Sequence, residues 1–287
     1  MDGAVAWRIV MFGKKTIAKI VIEGTIEDEG EKYSQKWLLG TIKKLEDKDD
    51  VIGLILYIDS PGGGVFQSDE VYLAVQHYIS KTAKPVFAYF ASLAASGGYY
   101  IGCSADRIVA NRNTLTGSIG VICGRFLDVS EFINKHGIKD EIIHSGRNKT
   151  MGHIATPATE EQKAIMQRIS DECYEQFVSI VAEARNLPIE KVKELADGRI
   201  YTAKQAKECG LIDEIMPFDD MKEYMLKTIG KEDEKASIVE YKFKGKKSVL
   251  QKMLKGQASA SSEMISSYAK AKTPYPAYYF DAERFGR

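Results

Sequence analysis

VIGLILYIDSPGGG, residues 51–64, joins two kinds of sequence in one stretch. Its first eight residues form an unbroken apolar run, the pattern of a strand buried on both faces as in a parallel sheet. Asp59, Ser60, Pro61 and three glycines then end the run, and Val71, Val75 and Ile79 follow on one face of a helix. A buried strand, a glycine turn and a helix open a β-α-β unit, and PVFAYF (85–90) supplies the next buried strand. Upstream, TIAKIVIEGTI (16–26) alternates apolar residues as a strand does. Downstream come RIVAN (107–111), GSIGVI (117–122), the helical SEFINKHG (130–137) and the strand-like DEIIHSG (140–146). This order predicts an α/β fold with a parallel sheet and crossover helices.

From 156 to 186 the sequence reads as one long amphipathic helix. Thr159 stands at the N-cap with Gln162 three residues on, a capping-box spacing, and Ile165, Ile169, Cys173, Phe177 and Val181 share the expected buried face. Two shorter helices and a last strand follow, with Gly210 at a helix C-cap. Residues 1–15 read as a lead segment, 16–230 as the main domain and 231–287 as a partly ordered extension. The aromatic end of that extension, TPYPAYYFDAERF, reads as a flexible tail or as a segment that docks on another subunit.

Composition narrows the function classes. Hydrophobic residues make up 44% and charged residues 28%, the balance of an ordinary globular chain. The 40 basic and 40 acidic residues cancel, so no long-range field steers the chain to nucleic acid. Cys103, Cys123, Cys173 and Cys209 are far apart with no CxxC pair, which indicates reduced thiols rather than a zinc site or a disulfide framework. The apolar run AVAWRIVMF near the N-terminus is interrupted by Arg8 and too short to span a bilayer, which takes about 20 apolar residues.

Two features carry chemistry. Glycines at the C-terminal end of a strand let the backbone approach a ligand and turn N–H groups toward it, where they can hold a developing oxyanion, although a glycine triplet alone reads equally as a tight turn. The GK[ST] of a phosphate-binding loop is absent. The second feature is AASGGYY (94–100), one β-α-β unit later. Adjacent parallel strands bring both segments to the same edge of the sheet, where ligands bind, so Ser96 and Gly63 are expected to be neighbours. The G-x-S-x-G elbow is absent, so the spacing by itself leaves Ser96 as either a nucleophile or a small residue at a close contact. Asp59 reads as a turn residue bonding the backbone ahead of Pro61. Of the four histidines, only His144 and His153 are weighed as a base, and both read as surface residues.

The ordered set YIDSPGGG, AASGGYYIG, TLTGSIGVI, HSGRNKTMG and ADGRIYTAKQAKECGLIDEI resembles the signal peptide peptidase A family of serine proteases, in its short single-repeat form, over about residues 16–230. The resemblance implies a Clp protease and crotonase-like fold and a Ser-Lys dyad without metal or organic cofactor. It further implies Ser96 as nucleophile, Lys149 as general base, Ser118 as the residue that orients the lysine, and the N–H groups of Gly63 and Gly97 as the oxyanion hole. A lysine has a reference pKa near 10.4, and to take a proton near neutral pH it must be lowered to about 7–8 by burial, so Lys149 is expected to be desolvated. Arg147, two residues away, would be a poor base because it stays protonated.

The resemblance also implies apolar, extended peptide substrates such as remnant signal peptides, work in or at a membrane, and an octameric ring in which the dyad is shared between subunits. Three other readings stay open: a head-maturation protease of the same family, a crotonase-like acyl-CoA enzyme, and a non-catalytic ring scaffold.

Overall fold

A computed structural model describes residues 15–245 and the strand 277–279. The run AVAWRIVMF therefore lies outside the described residues, as do 246–276 and 280–287.

The apolar stretches of the sequence become the middle of an eight-stranded sheet. β1 (Thr16–Glu23), β2 (Val51–Ser60) and β4 (Val86–Ala95) lie side by side and parallel, with Ile20 opposite Leu56 and Leu56 opposite Ala88. Both faces are covered, which is why β2 has no polar alternation. Leu54, Leu56 and Ile58 pack against α1 (Gln35–Glu46), α2 (Val65–Thr82) and α5 (Glu160–Arg185). Ile52 and Ile55 pack with Phe87, Tyr89, Met221 and Met225 on the opposite face, under α8 (Met221–Thr228). Burying a side chain of this size contributes about 1.5–3 kcal/mol.

On the side away from β2, β4 serves two partners in turn. Phe87–Phe90 pair with β5 (Arg107–Ala110), whereas Leu93–Ala95 pair with β6 (Leu115–Gly117). The C-terminal end of β4 carries the chain into α3 (Gly97–Gly102) with Ser96 at the junction. β7 (Ile200–Thr202) adds to β6 antiparallel, and β8 (Glu214–Ile215) adds to β5 parallel. α6 (Ile189–Leu195), before β7, and α7 (Ala203–Glu208), between β7 and β8, are the two short helices expected, and Gly210 takes a positive φ of 84° just past the end of α7. The long helix has both bonds of the Thr159–Gln162 capping box.

Several expectations change. GSIGVI is extended only as far as Gly117, because Ser118 adopts φ 51° and turns the chain out of the sheet. Residues 140–146 form no strand; they lie in an exposed loop, with no strand among the described residues paired to them. The only helix in residues 122–158 is α4 (Ser130–Lys135). On α5, Phe177 and Val181 are buried, but Ile165 and Cys173 are only partly covered and Ile169 is exposed.

The sheet also takes in residues beyond 230. β9 (Ser237–Lys242) lies parallel to β1 at the outer edge, where Lys19 reaches from β1 to Glu240 at 2.8 Å. β10 (Ala277–Tyr279) pairs antiparallel with β3 (Gly62–Gly64), forming a small separate sheet at the end of β2. Thus the described part of the aromatic end of the extension lies on the chain's own glycine strand.

Candidate active site

The glycine strand is held from below. Ile26 donates its N–H to the Gly62 carbonyl at 2.9 Å and accepts from the Gly64 N–H at 2.9 Å. Carbonyls and N–H groups alternate sides along a strand, so the N–H and C=O of Gly63 face the opposite edge. A side chain at Gly63 would run into the Ile26 backbone, which accounts for the missing Cβ. Ser60, fully buried, fixes the turn: its Oγ donates to the Gly24 carbonyl at 2.6 Å and accepts from the Gly62 N–H at 3.1 Å. Asp59 does not bond the turn as the sequence reading expected. Its Oδ1 accepts the Leu93 N–H at 3.1 Å, because β4 runs alongside and offers an amide where its pairing with β2 slips.

Ser96 stands on the next strand end. Its N–H donates to the Gly117 carbonyl at 2.8 Å and its carbonyl accepts from Tyr100 N–H at 2.9 Å, so the backbone is fixed on both sides. The residue has φ 53° and ψ −117°, a conformation that costs a non-glycine residue about 1–3 kcal/mol. Serine at an N-cap ordinarily accepts a hydrogen bond from the first helical turn; here the Oγ makes none. The side chain is 1% exposed and Oγ is buried without a hydrogen-bond partner. A strained backbone and an unsatisfied hydroxyl both oppose stability, and that combination concentrates where chemistry is done.

Gly97 begins α3, where the first N–H groups have no acceptor within the helix. A Cβ at Gly97 would lie 3.1 Å from the Gly63 nitrogen and would run into Ser68 Oγ. The two strand ends that the sequence placed at one sheet edge therefore meet at Gly63 and Gly97, with Ser96 adjoining.

Ser118 follows Gly117, the residue that Ser96 N–H bonds to. Its own N–H donates to the Arg199 carbonyl at 2.8 Å, and the side chain is largely buried. The structure thus brings together Ser96, Gly63, Gly97 and Ser118, and leaves Lys149 apart. Lys149 is exposed, in a turn closed by its N–H to the Gly146 carbonyl at 3.0 Å, and no hydrogen bond links it to Ser96. Among the described residues nothing covers this side chain, so the expected desolvation is not seen there. His144 is exposed in the same loop, with Nδ1 3.2 Å from the Gly146 carbonyl, and His153 Nδ1 lies 3.5 Å from Asp140. Arg147 pairs with Glu161 at 2.6 Å.

Four supporting residues escaped the sequence reading. Ser68, fully buried, donates to the Gly64 carbonyl at 2.8 Å. It shares the helical face of Val71 and Val75, so its spacing was the available signal. Tyr100 Oη donates to Asp69 Oδ1 at 2.6 Å, and Gln176 Nε2 reaches both, at 2.8 and 3.1 Å. This network ties the helix after Ser96 to the helix after the glycines, and its partners are too far apart in sequence to have been matched. The four cysteines are free thiols, and burial pushes Cys103 up to about 12. No group of three or more His, Cys, Asp or Glu side chains among the described residues could hold a metal ion, and no helix among them is long and apolar enough to cross a membrane.

An α/β sheet carrying a serine beside glycine N–H groups at its strand ends suits acyl transfer. Residues 79–231 match the model of peptidase family S49. A protein of Enterococcus faecium provisionally named signal peptide peptidase SppA is 37% identical over 235 residues, covering 79% of this chain and 67% of its own. One provisionally named a protease in Synechocystis is 37% identical over 232 residues, covering 81% of both chains. The chloroplastic serine protease SPPA of Arabidopsis thaliana is 32% identical over 195 residues, covering 68% of this chain and 28% of its own. A mutant ClpP1 from Listeria monocytogenes superposes with a TM-score of 0.47 and 19% identity, covering 70% of this chain and 92% of that one. The chain belongs to peptidase family S49, the signal peptide peptidase A family, and is a serine protease of that family.

Proposed function

We propose that this protease cleaves apolar, extended peptides of the remnant signal peptide type through a dyad of Ser96 and Lys149, with the lysine supplied by a neighbouring copy of the chain. The observation that carries the first half is the Ser96 hydroxyl, buried and unpartnered on a strained backbone beside Gly63 and Gly97. Ser96 Oγ attacks the peptide carbonyl carbon while Lys149 Nζ takes the hydroxyl proton. The Gly63 and Gly97 N–H groups hold the oxyanion, and Ser118 orients the lysine. The C–N bond then breaks as the lysine returns its proton to the leaving amine, and water attacks the acyl ester by the same route to free Ser96.

The lysine half rests on exposure. Among the described residues Ser96 Oγ has no hydrogen-bond partner, and the segment 122–154 that bears Lys149 leaves apolar side chains uncovered: Ile122, Phe132, Ile138, Ile142 and Ile154 are all exposed, and Ile143 is 97% exposed. Exposed apolar side chains gathered in one segment suit an interface. Packing the loop against a second copy would bury these residues and desolvate Lys149 in one step, which is what a lysine needs to act as a base near neutral pH.

The test is peptidase activity on hydrophobic peptides, with labelling by a fluorophosphonate. Ser96→Ala is expected to lose both labelling and activity by several orders of magnitude. Lys149→Ala is expected to lose activity to a similar extent while staying folded, and near wild-type activity in that variant would remove Lys149 from the mechanism.

A further inference from the structure

Tyr100, one turn beyond Ser96 on α3, is fully buried between two other helices. Its ring is flanked by Tyr72 of α2, with centroids 5.6 Å apart, and by Phe177 of α5, at 5.0 Å. At the ring's tip the hydroxyl donates to Asp69 Oδ1 at 2.6 Å, while Gln176 Nε2 donates to the hydroxyl at 2.8 Å and to Asp69 Oδ1 at 3.1 Å. Apolar contact is non-directional and leaves a ring room to slide, whereas hydrogen bonds fix distance and angle. The hydroxyl therefore pins α3 against α2 and α5.

That placement bears on Gly63 and Gly97. The glycine strand runs directly into α2, whose N-cap is Gly64, and α3 begins at Gly97. Two consecutive residues of α2 grip α3: Ser68 lies against Gly97, and Asp69 takes the Tyr100 hydroxyl. Tyr100 N–H also bonds the Ser96 carbonyl, so one residue touches the strained serine through its backbone and α2 through its side chain. A strained conformation persists only where its surroundings over-determine it. We propose that Tyr100, held by Asp69 and Gln176, is a positioning residue for this protease: it sets the spacing of the Gly63 and Gly97 N–H groups about the oxyanion and keeps Ser96 in its reactive conformation. The proposal rests on the acyl-transfer reading above. Donors to an oxyanion act mainly in the transition state, where the charge has developed, so displacing them lowers kcat and leaves KM little changed.

The experiment compares Tyr100→Phe, Asp69→Ala and Asp69→Asn in the full chain, by turnover of a hydrophobic peptide and by the rate of labelling with a fluorophosphonate. Phenylalanine keeps the ring and removes the hydroxyl. Tyr100→Phe and Asp69→Ala are each expected to lower kcat and the labelling rate at least about tenfold, with KM within about twofold of wild type, since a misplacement of about 1 Å can cost about 10²-fold. Asparagine still offers an oxygen to the tyrosine, so Asp69→Asn should recover most of what Asp69→Ala loses. The double variant Tyr100→Phe with Asp69→Ala should be about as slow as either single one, because both remove the same bond. Urea unfolding and light scattering check that kcat is read on folded chains of wild-type assembly. Wild-type kcat in Tyr100→Phe with only the urea midpoint lowered overturns the proposal, as does a loss confined to KM, or Asp69→Asn no faster than Asp69→Ala. The acyl-transfer reading fails separately, through activity or labelling that survives in Ser96→Ala.

Discussion

Ser96 N–H and the Gly117 carbonyl are joined by a 2.8 Å hydrogen bond. This single bond fastens the start of α3 to the strand that leads into Ser118, so two residues 22 positions apart in sequence are set side by side. It also holds Ser96 in its positive-φ conformation from one side, while Tyr100 N–H holds its carbonyl from the other. The hydroxyl is what these bonds leave over.

If Ser96 is kept for chemistry at the expense of stability, removing its side chain should stabilise the fold. Ser96→Gly relieves the strained φ and the unpartnered buried hydroxyl together, terms of about 1–3 kcal/mol each, against about 1 kcal/mol lost to the flexibility of glycine in the unfolded chain. Urea unfolding should show a midpoint above wild type for both Ser96→Ala and Ser96→Gly, with both inactive. A large destabilisation of Ser96→Ala would mean that the hydroxyl is a structural group.

The contact between Gly97 and Ser68 predicts a coupled pair. Gly97→Ala should cut kcat strongly, since its Cβ would run into Ser68 Oγ and crowd the Gly63 nitrogen. Adding Ser68→Ala removes the first clash and leaves the second, so the double variant should recover part of the activity and part of the stability. A double-mutant cycle that comes out additive would count against this packing.

A lysine that crosses to another subunit can be supplied in trans. Ser96→Ala chains and Lys149→Ala chains, each inactive, should regain activity when unfolded and refolded together, because mixed assemblies contain sites with one intact residue of each kind. Ile143→Asp, placed at the most exposed apolar side chain of the loop, should lower the mass seen by light scattering and the activity together. Full activity in a monomer peak would rule out the shared site.

Acid sensitivity should trace to Asp213. Burial alone would raise its pKa, but the hydrogen bonds from Arg185 at 2.9 and 3.0 Å and from Ile108 N–H at 2.7 Å outweigh burial and hold it below the usual carboxylate range. A depressed folded-state value contributes stability that is fully present above the unfolded pKa of about 3.9 and is lost as pH falls through the folded value. Asp213→Asn should therefore cost about 3 kcal/mol at pH 7, where it strands a buried Arg185, and the gap to wild type should close below about pH 4. Urea midpoints across that range would measure it, and a gap independent of pH would refute the assignment.

The sequence by itself determined the layers. Apolar runs such as VIGLILYI can be satisfied only by burial on both faces, and the capping residues Thr159 and Gly210 work through bonds a few positions away, so both can be read from local order. Local order also put Ser96 and Gly63 at one edge of a parallel sheet. Tertiary structure alone decided what depends on distant partners: that Asp59 bonds Leu93 rather than its own turn, that Ser68 and the Asp69–Tyr100–Gln176 network buttress the glycines, and that residues 277–279 lie on β3. It also decided that residues 140–146, strand-like in sequence, form no strand, because a strand needs a neighbour to take its hydrogen bonds and the described residues provide none there. Spacing along a chain shows which groups a segment offers, but which groups accept them is fixed only when remote segments pack.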